Sequence, residues 1–144
     1  MGDKTEKTNM QDEVALKRIM ICDDDLDFAE ECSDALRARG YDVVLRTPKS
    51  DFEEIVKAYR PQILLLDLYM PGLDGYEILR MIADRPSLHD MSIIVTSGAE
   101  EPLVRGIEAQ CQAYGLRLLG VCPKPVDLSL LDDILARDDA HVRS

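Results

Sequence analysis

Apolar residues along the chain fall into two alternating textures. Short runs rich in Ile, Leu and Val, almost free of charge, occupy 19–22, 41–45, 63–66, 91–95 and 116–122. Such runs are the pattern of strands buried on both faces. Between and after them, apolar positions recur every three or four residues. Phe28, Cys32, Ala35 and Leu36 form the first set, and Phe52, Ile55, Val56 and Tyr59 the second. Tyr76, Leu79, Ile82 and Ala83 follow, then Val104, Ile107, Cys111 and Tyr114, and finally Leu128, Leu131 and Leu135. That period marks one buried face of a helix. Five strands, each followed by an amphipathic helix, predict βα units around a mostly parallel sheet.

Punctuation agrees with the periods. Gly40 and Gly115 stand just past helical segments, where a left-handed residue ends a helix, and Pro48 and Pro102 suit first turns. Right-handed crossovers between successive parallel strands give a doubly wound α/β sheet, which binds ligands beyond the carboxyl ends of its strands. The flanks lack periodicity. Residues 1–17, with four acidic and three basic side chains, read as a flexible leader, and 138–144 (DDAHVRS) as a tail, which leaves 18–137 as the folded domain.

Composition narrows the function. With 144 residues, 46% apolar and 31% charged, the chain suits one globular domain. Its 28 Asp and Glu against 17 Lys and Arg give a net charge of −11, the wrong sign for direct nucleic-acid binding. No apolar run approaches the roughly 18 residues needed to span a bilayer, and residues 1–10 lack the apolar centre of a signal peptide. The expectation is a cytoplasmic protein with no membrane contact. Cys22, Cys32, Cys111 and Cys122 form no CxxC pair and read as buried, reduced thiols rather than a zinc site.

The strand ends carry the chemistry. The first run ends in Asp23, Asp24 and Asp25, the third in Asp67, the fourth in Thr96 and Ser97, and the fifth in Lys124-Pro125. Asp23, Asp24 and Asp67 would bring three negative charges into one crevice, which is costly unless a cation binds there. Carboxylate oxygens without His or thiolate select Mg²⁺, with Mn²⁺ as the alternative ion. A divalent cation, the Lys124 ammonium and the Thr96 hydroxyl around one carboxylate are the parts that stabilise a transferring phosphoryl group. Asp67 is then the nucleophile. Asp25 reads as the cap of the first helix, 70–75 as a structural turn, and His89 and His141 as solvated bystanders.

The segments IMICDDD (19–25), ILLLDLYMPGLDGYEIL (63–79), IIVTSG (93–98) and CPKPVD (122–127) resemble, in order and spacing, the four signature blocks of the response-regulator receiver domain of two-component signalling. The resemblance implies a flavodoxin-like (βα)5 three-layer sandwich with parallel sheet order 2-1-3-4-5. It implies Asp67 as phosphoacceptor, Mg²⁺ held by Asp23, Asp24, Asp67 and the backbone carbonyl of Tyr69, Thr96 as switch hydroxyl and Lys124 as the phosphate-contacting lysine. It also implies a cis Lys124-Pro125 bond and a histidine kinase or phosphotransfer protein as phosphodonor. Two residues past the phosphoacceptor and two past the hydroxyl, Tyr69 and Gly98 stand where the family tunes dephosphorylation.

Three features depart from the family pattern. Val121 occupies the place of an inward-turning aromatic. The stretch between Thr96 and Lys124 contains 27 residues, longer than in compact receivers. Its AYGLRLLGV segment (113–121) resembles receivers joined to cyclic-di-GMP phosphodiesterase output domains. With no output domain in the sequence, the expectation is a stand-alone receiver or a piece of a longer regulator. The competing reading is an aspartyl-nucleophile phosphatase on a similar fold. Such enzymes carry a second Asp two residues after the nucleophile, and here that residue is Tyr69. A signalling receiver would instead only gain phosphate from a donor and lose it by its own hydrolysis.

Overall fold

The structure is a computed structural model, described for residues 16–46, 52–70, 73–98 and 101–143. Five parallel strands form one sheet: β1 (Arg18–Cys22), β2 (Asp42–Arg46), β3 (Ile63–Asp67), β4 (Ser92–Ser97) and β5 (Arg117–Pro123). The helices α1 (Leu26–Ala38), α2 (Phe52–Tyr59), α3 (Gly75–Ala83), α4 (Glu101–Tyr114) and α5 (Leu128–Arg143) alternate with them. The strand order is β2-β1-β3-β4-β5. This is the flavodoxin-like (βα)5 sandwich.

Burial follows from that order. The inner strands β3 and β4 are buried at every position, which is why their sequences run apolar without alternation, whereas the edge strands β2 and β5 are only partly covered. Leu64, Leu66, Ile93 and Val95 face a core layer with Phe52, Val56, Ile78, Leu79, Ile82 and Ile107 from α2, α3 and α4. Ile19, Ile21, Leu65 and Ile94 face the other layer, with Leu36 from α1 and Leu131, Ile134 and Leu135 from α5. Each such side chain contributes about 1.5–3 kcal/mol by leaving water. All four cysteines are buried and free. Burial pushes Cys22 up to about 12 and Cys32 and Cys111 up to about 11, so their thiols stay protonated.

The helix ends are chemically explained. Gly40 (φ +94°) and Gly115 (φ +74°) close α1 and α4, and the next residues, Tyr41 and Leu116, donate back to Leu36 and Cys111 carbonyls. At the end of α2 a non-glycine, Arg60 (φ +57°), takes the left-handed conformation. There Arg18 Nε donates to the carbonyls of Tyr59 (3.1 Å) and Arg60 (2.8 Å). Pro48 lies outside the described residues. Pro102 falls in the first turn of α4 as expected.

Three features differ from the sequence reading. His89 is not a solvated bystander, because its Nε2 lies 3.1 Å from the carbonyls of both Ile82 and Ala83, the last of α3. A carbonyl-rich helix end needs donors, and the imidazole N–H provides one. In β5 the register slips between Ile93 and Ile94, so Leu118 and Gly120 pair with successive β4 residues and Leu119 is extra. A β-carbon on Gly120 would come within 3.2 Å of Ile134 on α5. Finally, α5 runs through to Arg143, and Asp138, expected at the start of a tail, is 4% exposed.

Asp138 is buried because it is fully partnered. It pairs with Lys17 and accepts from the Ser92 hydroxyl at the start of β4, while Arg117 Nη1 reaches Ser92 Oγ at 3.4 Å. Burial alone would raise its pKa, but the bonds from Lys17 and Ser92 outweigh it and hold the carboxyl below its ordinary 3.8. The stabilisation is therefore complete above 3.8 and lost as pH falls through the lower folded value. Asp138→Asn should cost about 2 kcal/mol in urea unfolding at neutral pH. Its difference from wild type should shrink as pH falls below 3.8, where the carboxyl loses its charge.

Candidate functional site

Three strands of this sheet deliver charge to one point. Asp23 follows β1 and is 3% exposed, Asp67 ends β3 at 4%, and Lys124 follows β5. Lys124 Nζ donates to Asp23 Oδ2 at 3.0 Å and to Asp67 Oδ2 at 3.1 Å. Burial works against the lysine's charge, yet the bonds to the two carboxylates prevail and its pKa is raised. The backbone N–H of Lys124 donates to the Ser97 carbonyl at 3.0 Å, fixing the chain where β5 ends. The Lys124-Pro125 bond is cis.

The remaining predicted residues fall around this bridge. Asp23 Oδ1 accepts from the backbone N–H of Asp25 at 2.9 Å, and Asp25 itself caps α1 by accepting from Phe28 N at 3.1 Å. Asp24 is exposed beside them. One carboxylate oxygen from each of Asp23, Asp24 and Asp67 lies within 4.8 Å of the others, the one such group among the described residues. Two oxygens across a Mg²⁺ ion stand about 4.2 Å apart at most, so a divalent cation fits after a small inward movement. The donor set fits as well, since three carboxylates face one ammonium and leave an excess of negative charge.

Thr96, 1% exposed, is the direct neighbour of Asp67 across the β3–β4 pairing. Gly98 is exposed two residues further on. Tyr69 opens a short antiparallel ladder in which Tyr69–Met70 pairs with Leu73–Asp74, and its side chain is outside the description. Val121 pairs with Val95 and is partly buried against the α2–α4 layer. The turn after Asp67 depends on one glycine. A β-carbon on Gly75 would sit 2.6 Å from Leu68 Cα and 2.7 Å from the Asp67 carbonyl oxygen, so α3 can start this close to the end of β3 only without a side chain.

One neighbour was absent from the sequence reading. Phe28, on the buried face of α1 as its helical period predicts, packs against the layer of Ile19 and Ile21 and also holds its ring under Lys124, with Nζ 5.3 Å from the ring centroid. Its position three residues past the capping Asp25 is the signal that places it at the pocket end of α1. The ring also lines a groove of about 540 Å³ with Asp25, Glu31, Cys32, Pro125, Val126 and Leu128.

Comparison with known proteins agrees with this geometry. The chain belongs to the response regulator receiver domain family, whose model matches residues 19–136. With its Asp23, Asp24 and Asp67 pocket it is a receiver domain of two-component signalling. It is 32% identical over 128 residues to the response regulator MprA of Mycobacterium ulcerans, covering 88% of this chain and 50% of that protein. The MprA of Mycobacterium leprae is 33% identical, with 88% and 51% covered. The chain thus spans about half the length of these curated relatives. Among solved structures, the signal receiver domain of a putative LuxO repressor protein from Vibrio parahaemolyticus superposes with a TM-score of 0.73 at 18% identity, covering 90% of this chain and 94% of that one. A CheY-like receiver domain protein from Methanospirillum hungatei gives 0.66 at 25% identity, with 90% and 98% covered. Among the described residues no helix is long and apolar enough to cross a membrane.

Gly75→Ala should cost about 2 kcal/mol in urea unfolding, because the clash is with backbone that cannot rotate away. The same change should weaken divalent-cation binding, since it pushes on the Asp67 main chain.

Proposed function

We propose that Asp67 is the phosphoacceptor of this receiver and that a histidine kinase or phosphotransfer protein supplies the phosphoryl group. The observation that carries this reading is the Lys124 ammonium bridging the buried carboxylates of Asp23 and Asp67. An Asp67 carboxylate oxygen attacks phosphorus in line, and the phosphorus–nitrogen bond of the donor phosphohistidine breaks. The imidazole leaves with the bonding pair and takes up a proton. Lys124, already on Asp67, moves its hydrogen bond to a phosphoryl oxygen, and the Thr96 hydroxyl donates to another. Asp23, Asp24, Asp67 and the Tyr69 backbone carbonyl would hold Mg²⁺, or Mn²⁺ in its place. Such an ion would neutralise the phosphoryl oxygens as charge spreads over them.

The phosphatase alternative has less support, because Tyr69 stands where an acid/base carboxylate is required. The reader of the phosphorylated surface is an output domain or partner protein, for which the 113–121 resemblance favours a cyclic-di-GMP phosphodiesterase domain. A cytoplasmic location fits such partners.

Acetyl phosphate or phosphoramidate should add one phosphoryl group to the protein with Mg²⁺ and none with chelator, measured by intact mass. Asp67→Asn should take up none; labelling of that variant, or labelling in chelator, would refute the assignment. Mg²⁺ should also raise the melting temperature, whereas Asp24→Asn should raise it without metal and reduce the further gain on adding Mg²⁺.

The lifetime of the phosphoryl group follows from two residues. Tyr69 is bulky, and Gly98 has no side chain to orient a water molecule, so attack by water on the acyl phosphate is slow. The double variant Tyr69→Asn with Gly98→Glu should dephosphorylate about tenfold faster, a barrier change of roughly 1.4 kcal/mol. An equal or slower rate would remove both side chains from this role.

A further inference from the structure

We propose that Phe28 is a positioning residue for Lys124, its ring face holding the ammonium at the acid pocket through a cation–π contact. The inference rests on the reading of Lys124 as the group that follows the phosphoryl oxygens. An ammonium attracts the negative face of an aromatic ring out to about 6 Å from the centroid, and Lys124 Nζ stands over the Phe28 ring at 5.3 Å.

The ring's own position is fixed by the pocket. Asp23 Oδ1 holds the N–H of Asp25, and Asp25 Oδ1 holds the N–H of Phe28. The backbone carrying the ring is therefore tied by two successive hydrogen bonds to the carboxylate that also binds the lysine. Phe28 and Lys124 together line the groove, and the Lys124 side chain is 30% exposed. Without the ring, an ammonium at this opening competes with water for its place on the two carboxylates.

The ring does something the carboxylates do not. When Asp67 takes a phosphoryl group, Lys124 exchanges a carboxylate oxygen for a phosphoryl oxygen, and its bond to Asp67 changes character. The attraction of the ring does not depend on which anion the ammonium faces, so it keeps Lys124 in the crevice through that exchange. An ordinary wall residue would serve equally well as leucine, whereas a cation–π partner would not.

The test compares ring face with apolar volume. Phe28→Leu keeps an apolar side chain without the π face, Phe28→Trp strengthens the face, and 3,4,5-trifluorophenylalanine at position 28 keeps the ring but removes its negative potential. In the metal-free, unphosphorylated protein, the ε-methylene NMR signal of Lys124 should be shifted upfield by the ring in wild type and Phe28→Trp, and should lose that shift in Phe28→Leu. Phosphorylation from acetyl phosphate at saturating Mg²⁺ should slow by about threefold to fivefold in Phe28→Leu and in the fluorinated protein. It should stay within about twofold of wild type in Phe28→Trp, and Mg²⁺ affinity should be unchanged in all three.

Wild-type rates in the fluorinated and leucine proteins, with the Lys124 signal of Phe28→Leu still at its wild-type position and labelling still confined to Asp67, would overturn the role of Phe28 and leave the phosphoacceptor assignment standing. Labelling that persists in Asp67→Asn would overturn that assignment instead. If Phe28→Leu does not fold, the fluorinated protein decides, because its ring fills nearly the same space.

Discussion

The Lys124 ammonium joins residues that close three separate strands. Asp23 follows β1, Asp67 ends β3 and Lys124 follows β5, and they meet through hydrogen bonds of 3.0 and 3.1 Å. Without this cation, two buried carboxylates would face each other across the crevice, each keeping its charge with less compensation for the hydration it has lost. The parallel order β2-β1-β3-β4-β5 places all three strand ends on one side of the sheet, so the charge cluster is a consequence of topology. The local details then serve this meeting point. Asp25 turns the chain into α1, Gly75 lets α3 begin against the end of β3, and Ser97 anchors the lysine's backbone.

Much of this was legible from residue order alone, for definable reasons. A strand covered on both faces is apolar along its middle, so β3 and β4 stand out by the runs Ile63–Leu66 and Ile93–Val95. Polar residues ending such strands are conspicuous against that background, which is how Asp23, Asp67, Thr96 and Lys124 were found together. Gly40 and Gly115 marked helix ends because a left-handed residue there is cheapest as glycine.

What was not legible depended on contacts distant in sequence. Arg60 ends α2 in the left-handed region without being glycine, and its support comes from Arg18, 42 residues away. His89 satisfies carbonyls of α3 only because the turn after that helix folds back on it. The bulge at Leu119 also escaped, since a strand with one extra residue reads as a slightly longer apolar run. The contact of Phe28 with Lys124 is hidden for a related reason: helical period assigns Phe28 to the core-facing side of α1, which it does occupy, without saying that a lysine shares that side.

The two ends of the sheet resolve their charges in opposite ways. At the amino end, Asp138 is matched by Lys17 and Ser92, with Arg117 behind them, so little is gained there by any rearrangement. At the carboxyl end, one ammonium bridges Asp23 and Asp67 beside a third carboxylate, Asp24, and the group carries a surplus of negative charge. A site left unbalanced in this way responds strongly to any change in its charge, whereas a balanced one does not. The satisfied network and the two apolar layers supply the stability that lets the opposite end remain unbalanced. Sensitivity to charge is thereby confined to the end where β1, β3 and β5 converge, and the loops that follow those strands are the parts of the molecule able to report it.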